Sequence, residues 1–293
     1  MTAKFFDARI ELYKKLCNEH VFTISKNGEP SIADIASKGS VAISKGMFDI
    51  LEQQGITIPT APKNSGQGNG NLFEKCISEF LEKTFLALGH LRPGKWHIKQ
   101  SHASISEFEQ YCHLQDLQLL TKKDGHIAAI IGNNYDILPD VIVSRDPESD
   151  EKINNGAFLI DSNEALHTSI REKNNKKPLL HASISCKFTL RTDRAQNART
   201  EALSFIRNRK GRAPHICLVT AEPMPSRLAS IALGTGDVDC VYHVALDELL
   251  QSIRNLTDID DKGGYCATYE MLQIMINGKR LKDISDLPLD LVI

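Results

Sequence analysis

The chain has 293 residues, 41% hydrophobic and 25% charged, enough to bury a core as one large domain or as a core with an appendage. No apolar run approaches the ~18 residues of a membrane span, and Met1 to Ile10 lacks the basic start and apolar stretch of a secretory signal; a cytoplasmic protein with no membrane partner is expected. Seven scattered cysteines with no Cys-x-x-Cys pair indicate neither a disulfide framework nor a zinc site, and a formal net charge of −2 argues against non-specific coating of nucleic acid.

The first stretch reads as helical, with Phe6, Ile10, Tyr13 and Leu16 at helical spacing and short helical pieces from Ile32 to Leu51. Lys63 to Asn71, rich in glycine and asparagine, reads as an exposed loop or linker. An amphipathic helix follows, with Phe73, Cys76, Ile77, Phe80, Leu81, Thr84 and Leu88 on its inner face and Glu74 at the margin. Beyond Gly125 the texture becomes β-rich. Strands are expected at His126 to Ile131, Ile137 to Ser144, Ala157 to Ile160, Leu179 to Leu190, His215 to Thr220 and Cys240 to Ala245. Between the later ones lie helices at Asp193 to Asn208, capped by Thr192 or Asp193, and at Ser226 to Leu233 and Leu246 to Leu256. The order implies an α/β fold, a mixed central sheet flanked by helices. The expected division is a helical N-terminal part at 1–62, an α/β core at 63–256 and a C-terminal extension at 257–293 packing on the core.

Charge is concentrated in one place. From Lys187 to Arg212, eight basic residues stand against Asp193 and Glu201, a local surplus of +6 that suits a polyanion held at one site. The bland alternative is a solvated helix face. Asp140, in Ile-Leu-Pro-Asp-Val-Ile-Val, interrupts an apolar strand, and a buried unpaired carboxylate is costly, so it requires a partner or a metal. Lys187 ends a second apolar strand, Ser183-Ile184-Ser185-Cys186-Lys187, and Glu201 lies two turns into the next helix. Phosphodiester hydrolysis needs carboxylates converging on a hard divalent cation, and these three side chains could meet to provide that. Each also has an ordinary reading, as a strand-end carboxylate, a lysine at a sheet edge and a solvated helix glutamate. Arg191, Asp193 and Arg194 follow closely; arginine forks match guanine O6 and N7, and a carboxylate accepts from cytosine N4. His97 and His102 lack a carboxylate at metal-ligand spacing and read as surface or packing residues.

Taken together, Pro139-Asp140, Ser185-Cys186-Lys187, Arg191-Thr192-Asp193-Arg194 and Glu201 resemble the CCGG family of type IIF restriction endonucleases, of the Pro-Asp…(Asp/Glu)-x-Lys superfamily. The chain departs from the superfamily motif in placing Ser185 where the second acid usually stands; the resemblance supplies Glu201 in its place. It implies a restriction-endonuclease-like fold and a Mg²⁺ ion held by Asp140, Glu201 and the main-chain carbonyl of Cys186. Lys187 would orient or activate the attacking water, and Glu74 would help to hold that lysine. Arg191, Asp193 and Arg194 would read the inner base pairs of a palindromic CCGG-containing site, GCCGGC in full. Gln67 would reach the minor groove, and Asp34 with Arg227 would read the outer G·C pair. A palindrome calls for at least a homodimer, and the resemblance implies a tetramer.

Two other readings use different features. Ser31 to Ala36, then Gly39 to Ser44 and Phe48, resembles a helix-turn-helix, which would make the chain a regulator that binds DNA without cutting it. A repair or junction nuclease would share the carboxylates and lysine but read DNA shape, and the base-reading trio at 191–194 tells against it.

Overall fold

The computed structural model describes residues 2–62, 66–100, 104–131, 138–234, 236–259 and 264–293. In chain order the helices are α1 (Lys4–Asn18), α2 (Lys38–Gln53), α3 (Gly66–Phe85), α4 (Leu114–Lys123), α5 (Gly125–Ile131), α6 (Asp150–Ile153), α7 (Thr192–Asn208), α8 (Pro225–Ala232), α9 (Leu246–Ile259), α10 (Gly264–Asn277) and α11 (Leu287–Asp290). The strands are β1 (Trp96–Gln100), β2 (Val141–Arg145), β3 (Leu179–Lys187), β4 (His215–Thr220), β5 (Cys240–His243) and β6 (Leu281–Asp283). They form one sheet in sequential order, β1 to β6. The first three strands run antiparallel and β3 to β6 run parallel, so the mixed α/β sheet expected from the sequence is present.

The central strands are apolar because both faces are covered. Val141, Val143, Ala182, Ile184, Cys186, Leu218 and Val219 are all buried, and each large aliphatic side chain removed from water contributes about 1.5–3 kcal/mol. The start of β2 faces the end of β3 in antiparallel register, Val141 opposite Ile184, which brings the residue before β2 beside the last residues of β3. Topology alone therefore joins two segments 45 residues apart, as the contact between Ser185 and Asp140 records.

α1 packs on α3, and α2 packs on α9 so closely that a Cβ at Gly46 would collide with Ser252 Oγ. Arg9 ties the first helix to the far end of the chain through Glu248 Oε2 at 2.7 Å and Asp283 Oδ2 at 3.4 Å. None of the helices among the described residues is long and apolar enough to cross a membrane.

Several expectations fail locally. His126 to Ile131 is helical, as the end of α5, and Ala157 to Ile160 forms no strand; there the Asn154 side chain bonds the main chain of Leu159 and Ile160 and takes up their hydrogen-bonding groups. The strand expected through Leu190 stops at Lys187, and that expected from Ile137 begins at Val141, Ile137 itself lying outside the described residues. The Lys63 to Asn71 loop is helical from Gly66 onward, with Lys63 to Ser65 outside the described residues: packing buries Asn69 and Phe73 and outweighs the poor helix propensity of the glycines. α7 begins at Thr192, with Arg191 rather than Thr192 or Asp193 in the capping position. Residues 31–37 are turns rather than a first helix, and α2 is a single helix capped by Ser37, so the helix-turn-helix is not formed. β1 and β6 were not expected from the sequence; each is short and polar at alternate positions.

Candidate active site

Asp140 immediately precedes β2, Ser185 to Lys187 close β3, and Glu201 projects from α7, the helix that follows β3. The four side chains meet. Lys187 Nζ donates to Asp140 Oδ2 at 2.9 Å and stands 3.8 Å from Glu201 Oε2. Ser185 Oγ lies 3.2 Å from Glu201 Oε2 and 3.5 Å from Asp140 Oδ2, between the two carboxylates. The Cys186 amide donates to Asp140 Oδ2 at 2.8 Å, which fixes that carboxylate to the end of β3. The polar reach of Ser185 and Lys187 toward one side and the burial of Cys186 on the other follow from strand alternation.

Burial and charge set the protonation of this group. Burial alone would lower the affinity of Lys187 for its proton, but the Asp140 and Glu201 charges and the hydrogen bond to Asp140 outweigh it and hold the ammonium above its ordinary range. Lys187 is therefore charged at neutral pH. Burial, with Asp140 nearby, raises the Glu201 carboxyl above its usual range, against the pull of Lys187 and Ser185. Burial holds the Cys186 thiol far up in its neutral form, so this cysteine offers main-chain atoms to the site and no thiolate.

The donor set fits a hard divalent cation. Two carboxylates converge on one hydroxyl with a single ammonium to balance them. Among the described residues no group of three or more His, Cys, Asp or Glu side chains could hold a metal; the carboxylates that converge here are two, Asp140 and Glu201.

A cleft of about 620 Å³ opens beside the cluster, lined by Glu74 and Gln67 of α3, by Lys187 and Glu201, and by Arg191 and Arg194 at the start of α7. Glu74 is buried, and its Oε2 accepts from Gln100 Nε2 at 3.0 Å. Arg194 Nη1 donates toward Thr189 O and Oγ1 at 3.3 and 3.2 Å, which aims the guanidinium before any ligand arrives. Asp193 is exposed in the first turn of the same helix. Asp34 and Arg227 pair with each other in a neighbouring cleft of about 330 Å³, which Arg191 also lines. The Arg227 guanidinium, first by hydrogen bonding, holds the Asp34 carboxyl below its usual range. His97, half-exposed, pairs with Asp146 at 3.0 Å, and His102 lies outside the described residues.

Three contributors escaped the sequence reading. Asn197 lines the cleft between Arg194 and Glu201, and 194, 197 and 201 fall on one helix face, a spacing that would have found it. Gln100, at the end of β1, holds Glu74; no local signal marks it, because the contact depends on a strand the sequence did not announce. Glu222, fully buried after β4, accepts from the amides of Leu190 at 2.7 Å and Met224 at 3.0 Å. A carboxylate set against an apolar run is the signal that marks Asp140, and Glu222 carries it too.

Fold and cleft together put the chain in the class of restriction-endonuclease-like nucleases. The family model described as NgoMIV restriction enzyme matches residues 12–293. The type II restriction enzyme NgoMIV of Neisseria gonorrhoeae is 46% identical over 297 residues that cover 100% of both chains. A solved structure of the restriction endonuclease PspGI with substrate DNA aligns over 99% of this chain and 92% of its own, at 12% identity and a TM-score of 0.36. The chain belongs to the NgoMIV restriction enzyme family and is a type II site-specific deoxyribonuclease.

Proposed function

We propose that this enzyme cuts double-stranded DNA at a palindromic site containing CCGG, GCCGGC in full, with Mg²⁺ as cofactor. The observation that carries the reading is the meeting of Asp140, Ser185, Lys187 and Glu201 at one end of a cleft whose wall bears Arg191 and Arg194. Asp140, Glu201 and the Cys186 carbonyl would hold the Mg²⁺ ion. When bound, it supplies Lewis-acid charge and a more acidic water.

The protein's own groups do the rest. Lys187, charged and partly buried, donates to the attacking water and offsets charge that develops on the phosphate. Ser185 holds the two carboxylates in register, and Glu74, fixed by Gln100, lines the same cleft as Lys187. Arg191 and Arg194 present forks to guanine and Asp193 an acceptor to cytosine N4, reading the inner CCGG pairs. Gln67 faces the same cleft and reaches the minor groove; Asp34 and Arg227 read the outer pair from the adjoining one. The site sequence comes from the family resemblance, and a two-fold symmetric target supports a dimer, two of which pair as a tetramer.

The test is cleavage of linear DNA carrying one GCCGGC site, in Mg²⁺ and in EDTA, with the cut ends sequenced. Metal-dependent cutting within GCCGGC and not within sites altered in the CCGG core is expected. Cleavage at an unrelated sequence, or undiminished in EDTA, would contradict the reading.

A further inference from the structure

We propose that Glu222 is a positioning residue for sequence recognition: its buried carboxylate locks the start of the Arg191–Arg194 segment to Arg227, and so sets where the outer base pair is read. The inference rests on the reading of Arg227 and Asp34 as outer-pair contacts, and it adds the residue through which they are held.

Three contacts carry it. Glu222 Oε2 accepts from the Leu190 amide at 2.7 Å, next to Arg191. Glu222 Oε1 accepts from the Met224 amide at 3.0 Å, the residue that precedes α8. The same Oε1 stands 3.8 Å from Arg227 Nη1, while Arg227 Nη2 pairs with Asp34. One carboxylate thus touches all the segments that present side chains to the second cleft, except that of Asp34, which it reaches through Arg227.

The support behind Glu222 is rigid. Its amide donates to Thr220 Oγ1 at 3.2 Å, and Ala221 N donates to Phe188 O at 3.0 Å, continuing the parallel pairing beyond the ends of β3 and β4. His243 Nε2 lies 3.2 Å from the Glu222 carbonyl, and its Nδ1 accepts from Ala245 N, which makes Nε2 the protonated nitrogen. Burial holds that imidazole neutral, pushed down to about 4. A buried carboxylate with no route to solvent is expensive, and here it is retained between two main-chain amides and an arginine instead of being replaced by an apolar side chain. Its two amide contacts hold the main chain on either side, and its remaining charged partner is Arg227.

The experiment is a double-mutant cycle on discrimination. The ratio of kcat/KM for GCCGGC over sites with the outer pair changed to A·T is measured for wild type, Glu222→Gln, Arg227→Ala and the double variant, with melting temperatures alongside. Gln keeps the volume but replaces one acceptor by a donor. Glu222→Gln is expected to lower that ratio at least tenfold, and to lower it no further once Arg227 is absent. Equal effects of Glu222→Gln with and without Arg227, or an unchanged ratio in a folded variant, would overturn the inference while leaving the outer-pair reading intact. A wild-type enzyme indifferent to the outer pair would overturn both.

Discussion

Replacing Lys187 with methionine keeps an unbranched side chain and removes its charge. In the native site the ammonium stands 2.9 Å from Asp140 Oδ2 and 3.8 Å from Glu201 Oε2. At an effective dielectric of about 20, unit charges at such distances attract by about 4–6 kcal/mol before desolvation is counted. Desolvation of the ammonium offsets part of this, and the carboxylates, 17% and 36% exposed, recover some solvation when the cation goes. A net loss of about 1–3 kcal/mol at about pH 8 remains. The sign with pH follows from Glu201. Its carboxyl is already raised by burial and by Asp140, and without Lys187 it rises further, so the folded variant takes up a proton that the unfolded chain does not. The deficit should therefore shrink toward about pH 5, as the proton replaces the lost cation. Urea unfolding of both proteins at the two pH values measures this, with plasmid cleavage in Mg²⁺ and gel shift in Ca²⁺ alongside. Cutting should fall by about 10³-fold while DNA binding changes by less than about threefold. A stability gap that does not change with pH would refute the charge balance, and normal cutting would refute the mechanism.

Arg194→Ala should cost about 1–3 kcal/mol of discrimination at the inner G·C pairs, read as relative cleavage of single-base variants of the site, with little change in stability. Arg171, almost fully buried, binds Asp150 through Nε and Nη2 and the carbonyls of Asp161 and Glu164; Arg171→Ala should expose the segment between β2 and β3 to limited proteolysis while the sheet persists. Burial pushes the Glu222 carboxyl up to about 7 from an ordinary 4.5, so the native state keeps this proton longer than the unfolded chain. Its contribution is fully present below the unfolded value and is lost as pH rises through the folded one. Relative to wild type, Glu222→Gln should gain about 2–3 kcal/mol of stability between about pH 5 and about pH 8 in urea titrations, and a constant difference would argue against a buried ionisable carboxyl there.

The meeting of Asp140, Ser185, Lys187 and Glu201 was legible because it follows from charges set in apolar strands. Asp140 and Lys187 interrupt apolar runs, and the cost of burying a lone charge makes each imply a partner. Strand register supplied the meeting, since a chain that enters β2 beside the exit of β3 has few other arrangements. What failed was local and marginal. Gly125–Ile131 is apolar and short, a pattern shared by strands and buried helix segments, and it forms α5. The glycine-rich run at 66–71 looks like a loop because glycine disfavours helices, yet it is the first turn and a half of α3, held by the packing of residues further on. β1 and β6 lie at the two edges of the sheet, and their alternation is too brief to stand out from the surrounding sequence. Gln100 is invisible for the same reason, whereas Glu222, an acid beside an apolar strand, carries the same signal as Asp140.

The most direct measurement is calorimetric titration of Mg²⁺ into the enzyme bound to uncleavable GCCGGC duplex, for wild type, Asp140→Asn and Glu201→Gln. In the proposed centre the two carboxylates share the cation, so each substitution should weaken cation binding at least tenfold while the DNA complex stays intact. Binding of wild-type strength by the Glu201→Gln protein would mean that the helix carboxylate beside Ser185 and Lys187 is not a ligand, and the proposed centre would fall.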